Sequence, residues 1–89
     1  MFDKVRKINE LRKEADTLKK ELAAEIIEVD RGNIKVVISA DIKIHSLDYP
    51  SNTDAKDLTE AINKAVEEVQ KIAAKKMQSQ MGALKDLLG

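Results

Sequence analysis

From Asp54 to Leu88 the apolar residues recur with the period of an α-helix. Leu58, Ile62, Ala65, Val69 and Ile72 alternate spacings of four and three, which draws one stripe down one face. The stripe drifts onward through Ala73, Met77, Met81, Leu84 and Leu88, with Gly82 the only glycine and no proline in the run. At 1.5 Å per residue such a helix is roughly 50 Å long. Phe2 to Ala24 carries a second helical pattern. Ile8, Leu11, Ala15, Leu18 and Leu22 keep a/d spacing while charges fill the remaining positions, and neither Gly nor Pro interrupts the helix formers.

Between the two helices the period falls to two. Ile27 and Val29 alternate with Glu28 and Asp30, as in a half-buried strand. Asp30-Arg31-Gly32-Asn33 reads as a turn, since Gly32 and Asn33 tolerate positive φ. Ile34, Val36 and Ile38 then line one face of a second strand. Ser39-Ala40-Asp41 is a weaker turn, after which Ile42 and Ile44 continue the alternation in a third strand ending near Asp48. That alternation puts His45 on the face opposite Ile44, as an ordinary half-exposed strand residue. Tyr49-Pro50-Ser51-Asn52 breaks the ladder. Thr53 is the expected N-cap, with Asp54 and Asp57 suiting the positive end of the following helix.

The predicted fold is therefore α+β, in the order α-β-β-β-α. One domain spans 1–89, with helix 1 over 1–24, a three-stranded antiparallel sheet over 25–49 and helix 2 over 53–88. Strand parity fixes more. Three antiparallel strands leave the sheet at the end opposite to where they entered, so helix 2 must run back across it. A seven-residue strand spans roughly 23 Å, which about fifteen helical residues match. Asp54–Glu68 is thus assigned to the sheet, packing on Ile34, Val36, Ile38, Ile42 and Ile44. The rest pairs antiparallel with helix 1 as an arm.

Charge follows the same division. The net charge is zero. Residues 1–20 nevertheless hold seven Lys/Arg against four Asp/Glu, residues 21–68 five against eleven, and residues 69–89 four against one. The arm is basic and the sheet body acidic. Lys4, Arg6, Lys7, Arg12, Lys13, Lys19 and Lys20, with Lys71, Lys75, Lys76 and Lys85, are candidate phosphate contacts. The competing reading is an ordinary solvated surface, because Asp3, Glu10, Glu14 and Asp16 lie among them. Double-stranded nucleic acid is favoured over single strands, since Phe2 and Tyr49 are the only aromatics available for stacking.

Composition narrows the remaining classes. With 89 residues and 2% aromatics, a solitary core is small, and oligomerisation is the usual remedy. No cysteine is present, so thiolate metal sites and disulfides are excluded. His45 is the lone histidine, and Asp54, Asp57, Glu67 and Glu68 lack the spacing of a calcium loop; no metal and no cofactor are expected. No phosphate-binding glycine loop or nucleophile elbow occurs, so no enzyme is expected. The N-terminus is charged from Asp3 and no apolar run approaches the ~18 residues of a membrane span, which points to a cytoplasmic protein without a membrane or small-molecule partner.

Several segments taken together resemble the YbaB/EbfC family of bacterial nucleoid-associated proteins. They are the opening Met1-Phe2 with its amphipathic helix, the strand Asn33-Ile34-Lys35-Val36-Val37-Ile38, and a terminal segment with Met77, Met81, Gly82 and Leu84. The most specific is Leu58-Thr59-Glu60-Ala61-Ile62-Asn63-Lys64-Ala65, which matches the family's L…AxNxA pattern. The resemblance covers nearly the whole chain. It implies a homodimer with joined sheets, helical arms projecting like tweezers, and DNA binding without catalysis in the nucleoid. A structural role for Asn63 is also implied. Together with the apolar stripe and the strand alternation, this makes Val36, Ile38, Leu58, Ile62, Asn63, Ala65 and Val69 the expected dimer and core positions. The chain departs from the family at Ser39-Ala40-Asp41, where Asn-Gly is usual, and in a first helix poor in Met and Gln.

The expectation is a homodimer that grips duplex DNA between basic arms, with the acidic body held away. The alternative is a prefoldin-like chaperone or scaffold working through apolar arm tips at Phe2, Val5, Leu84, Leu87 and Leu88. Its hairpin has an even strand number, which leaves no sheet-covering segment on the second helix.

Overall fold

The computed structural model describes residues 2–88, with the side chains of all of these except Phe2, Asp3, Ala83, Leu84, Leu87 and Leu88. Four of the five arm-tip residues thus lie outside the described side chains. Helix α1 spans Phe2–Ala24, strands β1, β2 and β3 span Ile26–Arg31, Ile34–Ser39 and Lys43–Asp48, and helix α2 spans Ala55–Leu88. The sheet is antiparallel in the order β1-β2-β3. The α-β-β-β-α order is the one that the alternation implied.

The first turn forms as its residues dictate. Arg31 pairs with Ile34 across the two-residue loop Gly32–Asn33, and Gly32 takes φ +59°. Asn33 stays at negative φ, so the left-handed residue is the first of the two, as in a type II′ hairpin.

The second turn departs from expectation. Ala40, Asp41 and Ile42 form it, closed by the Ile42 N–H donating to the Ser39 carbonyl at 2.9 Å. Ile42 lies outside β3 and adopts φ +62°, a conformation that costs a β-branched residue about 1–2 kcal/mol. The register then slips by one. Val37 faces Ser46 but Ile38 faces Ile44, which leaves His45 as the extra residue of a bulge. Its ring Nε2 sits 3.0 Å from Ser39 Oγ. The fully buried Ser39 hydroxyl also donates to Asp41. His45 is therefore not the plain alternating strand residue that the sequence implied. It fills the bulge and ties it to the strand opposite.

The entry to α2 differs as well. The Asp54 carbonyl accepts the first helical bond, from Leu58 N–H at 3.1 Å, which makes Asp54 the N-cap residue. Thr53 instead closes the preceding turn, donating both its N–H and its hydroxyl to the Pro50 carbonyl.

The core lies between α2 and the first two strands. Val29, Ile34, Val36 and Ile38 from the sheet meet Ala61, Ala65 and Val69 from the helix, all buried. Small Ala61 and Ala65 bring the helix close to the sheet, while Leu22, Ile27, Leu47, Leu58, Val66 and Ile72 close the rim. Helix α2 lies across β2 and β1. A helix is about 10 Å across and strands are about 4.8 Å apart, so one helix covers two strands and leaves the third. Ile42 and Ile44, expected beneath α2, are instead 51% and 46% exposed.

Past the core α2 continues beside α1. Gln80 donates to the Glu14 backbone and carboxylate, and Lys76 pairs with Glu25 at 3.6 Å. These contacts fix the antiparallel arm. The long dimension is 63 Å against 17 and 16 Å, and the radius of gyration is 17.8 Å, against about 12 Å for a compact chain of this length. The arm causes the difference.

Candidate nucleic-acid interface

The arm arranges its charges in rows. Residues seven apart on a helix share a face, so Arg6, Lys13 and Lys20 form one row on α1 and Arg12 and Lys19 form a second, with the row of Asn9 and Asp16 between them. All five are exposed, and the first row is about 21 Å long at helical rise. Some of the acidic residues fall elsewhere. Glu14 and Glu21 share a row with Lys7, and Glu14 is half-buried against Gln80 of α2. Asp16 alone lies between the two basic rows. Winding the chain on a helix thus turns Glu14 away from the basic rows, while Glu10 stays one turn from Arg6 and Lys13 and Asp16 one turn from Arg12, Lys13, Lys19 and Lys20.

The other expected contacts are less uniform. Lys4 lies on the row of Leu11 and Leu18, and Lys7 on that of Glu14, so neither joins the basic rows, although both are exposed. On α2, Lys71 and Lys85 share a row through Gln78, and Lys75 lies one turn beyond Lys71. Lys71 also reaches Glu68 at 3.7 Å across exposed surface, an interaction worth little in water. Lys76 is the exception among these cations. Its side chain is only 30% exposed and turns inward to Glu25, locking the base of the arm.

Of the expected dimer and core residues, Val36, Ile38, Ala65 and Val69 are fully buried within the single chain. They have no surface left to offer a partner. Leu58 and Ile62 are half-buried and Asn63 is exposed. Glu60 meets Arg31 at the end of β1 at 2.5 Å, which turns the opposite flank of α2, carrying Ile62 and Val66, toward β3 by helical geometry. An apolar step results, with Ile44 and Leu47 on the strand below the helix flank and Tyr49 exposed beyond.

A cavity of about 410 Å³ opens at the start of α2, lined by Arg31, Asn33, Asn52, Asp54 and Asp57 among others. Arg31 is already engaged by Glu60, and among the described residues no group of three or more His, Cys, Asp or Glu is placed to hold a metal ion. Ser39, Asp41 and His45 are linked, but the carboxylate contacts the serine rather than orienting the imidazole. They lack the relay that a nucleophilic triad needs. No described helix is long and apolar enough to cross a membrane.

The scaffold is thus a small α+β body holding out a two-helix arm that carries exposed basic rows. Residues 1–88 match the YbaB/EbfC DNA-binding family, and the chain belongs to it. The family is non-catalytic, and membership supports a nucleoid-associated, DNA-binding role. Among curated proteins, none matches the chain. One cation that charge counting assigned to the acidic body was missed as part of the basic surface. Lys43 stands beside Lys19 and Lys20 at the base of the arm, a proximity that only the folded chain creates.

Proposed function

We propose that the protein is a cytoplasmic, nucleoid-associated homodimer that binds double-stranded DNA along its arms, chiefly through phosphates. The observation that carries this reading is the pair of exposed basic rows, Arg6-Lys13-Lys20 and Arg12-Lys19, on an arm that projects from the body. Lys71, Lys75 and Lys85 add charge from α2. Lysine and arginine rows without aromatic platforms suit a duplex backbone, and contacts of this kind position a protein without specifying sequence. Affinity then rests on release of counterions.

The dimer is supported by what α2 leaves uncovered. β3 is an edge strand, and an edge bearing exposed apolar residues invites pairing. A second copy joined along β3 covers Ile44, Leu47 and the Ile62–Val66 flank, and makes one continuous sheet with two arms. Sedimentation at micromolar concentration tests this part, with twice the chain mass expected and a stable monomer contradicting it. For DNA, fluorescence anisotropy on a labelled duplex should show that replacing Arg6, Arg12 and Lys13 with Gln flattens the log–log salt dependence by about 2.7, at roughly 0.9 per lost phosphate contact. An unchanged slope removes the α1 rows from the interface.

A further inference from the structure

The basic rows of α1 do not end in solvent. Lys19 and Lys20 are their last members, and beyond them the chain turns into the sheet. There the two lysines, with Ala23, line a shallow cavity of about 400 Å³ whose other wall is Asp41 and Lys43, from the β2–β3 turn and the start of β3. Three cations from two distant segments thus face one concave surface. Among the described residues Asp41 is the only acidic one in its lining, and it is engaged. It accepts from the buried Ser39 hydroxyl and stands 3.9 Å from Lys43 Nζ, so the seat keeps a net positive charge. The Lys43 side chain is 77% exposed, and its loose contact with Asp41 leaves most of the ammonium in solvent, within reach of an anion.

We infer that this elbow is a phosphate seat, where the duplex backbone bound along the arm makes its last contacts with Lys19, Lys20 and the body residue Lys43. The inference rests on the DNA-binding reading above and changes it in one respect. The acidic body is not held away from the DNA. At the elbow it contributes a cation of its own, on a turn whose shape is set by the strained Ile42 and the Ser39–Asp41 hydrogen bond. The basic surface then extends beyond the roughly 21 Å of the α1 row and round the corner onto the sheet.

The test uses the full chain and a fluorescein-labelled 30-base-pair duplex, with affinity measured by anisotropy from low to moderate salt. Lys43→Gln should reduce the magnitude of the log–log slope by about 0.9, and Lys19→Gln/Lys20→Gln/Lys43→Gln by about 2.7. Lys43→Arg should restore the wild-type slope. Circular dichroism and the melting temperature of Lys43→Gln should match the wild type, because its side chain is mostly in solvent; this single variant decides the matter if the triple variant fails to fold. If Lys43→Gln leaves the slope unchanged while Arg6→Gln/Arg12→Gln/Lys13→Gln reduces it, the elbow seat is overturned and the arm reading stands. If the wild-type protein does not bind the duplex, both fall.

Discussion

The two halves of α2 are one continuous helix in two environments. Between Leu58 and Ile72 it presses small and β-branched residues into the sheet, and Ala61, Ala65 and Val69 vanish from the surface. Beyond Ile72 it runs beside α1, and Met77 and Met81 remain 50% and 66% exposed. The body is held by close packing, while the arm is held by one seam and a few polar ties, including Gln80 to Glu14 and Lys76 to Glu25. Stability therefore resides in the body, and exposed basic surface chiefly in the arm.

The largest effect that this contrast predicts is at the body's centre. Ile38→Ala should cost about 2–5 kcal/mol, because a fully buried side chain is lost and its cavity cannot collapse against a sheet. Leu18→Ala, on the half-buried arm seam, should cost well under half as much. Urea denaturation of the two variants measures both, and equal losses would break the distinction between body and arm. Next comes Ser39→Ala, which deprives His45 and Asp41 of their shared partner. About 1–2 kcal/mol should be lost by the same measurement, together with the order of the bulge.

Ile42→Gly should act in the opposite direction. Relief of the left-handed conformation is expected to stabilise the folded chain by about 1 kcal/mol, net of the entropy that glycine adds to the unfolded chain. Loss of the exposed side chain beside β3 should at the same time weaken self-association in sedimentation. Smallest is Glu25→Gln. The Lys76 pair is partly exposed, with side chains 30% and 44% accessible, and such pairs contribute about 0–1 kcal/mol. A thermal melt should move by a few degrees at most.

What the sequence made legible was what depends on local period. The two helical stripes, the alternation of Ile34, Val36 and Ile38, and the existence of a turn at Gly32 all rest on residue spacing or intrinsic backbone preference. Strand parity then sent α2 back along the sheet. The misplaced features depend on tertiary balance. Ile42 has the composition of a strand residue and sits in a turn at positive φ, because closing β2 onto β3 outweighed its own preference. The bulge at His45 follows from that turn and leaves no mark on the period. The bare third strand is a matter of widths, which no residue pattern records.

The distribution of basic surface was legible in part for the same reasons. Counting charge along the chain found a basic arm, but linear order mixes Arg12 and Lys13 with Glu10 and Glu14. Winding them on a helix turns Glu14 away and leaves Glu10 beside Lys13. Lys76 was counted among the DNA contacts and turns inward to Glu25. Lys43, counted with the acidic body, stands with Lys19 and Lys20. Charge totals are conserved by folding; the surface to which each charge belongs is not.

The central claim is that the arm binds duplex DNA through its phosphates. It is tested most directly by the salt dependence of wild-type binding to two duplexes of equal length and unrelated sequence. With six or more phosphates neutralised, log K should fall against log salt with a slope of about −5 or steeper, in parallel for both sequences. A shallow slope, or strong binding to one duplex and none to the other, would contradict it.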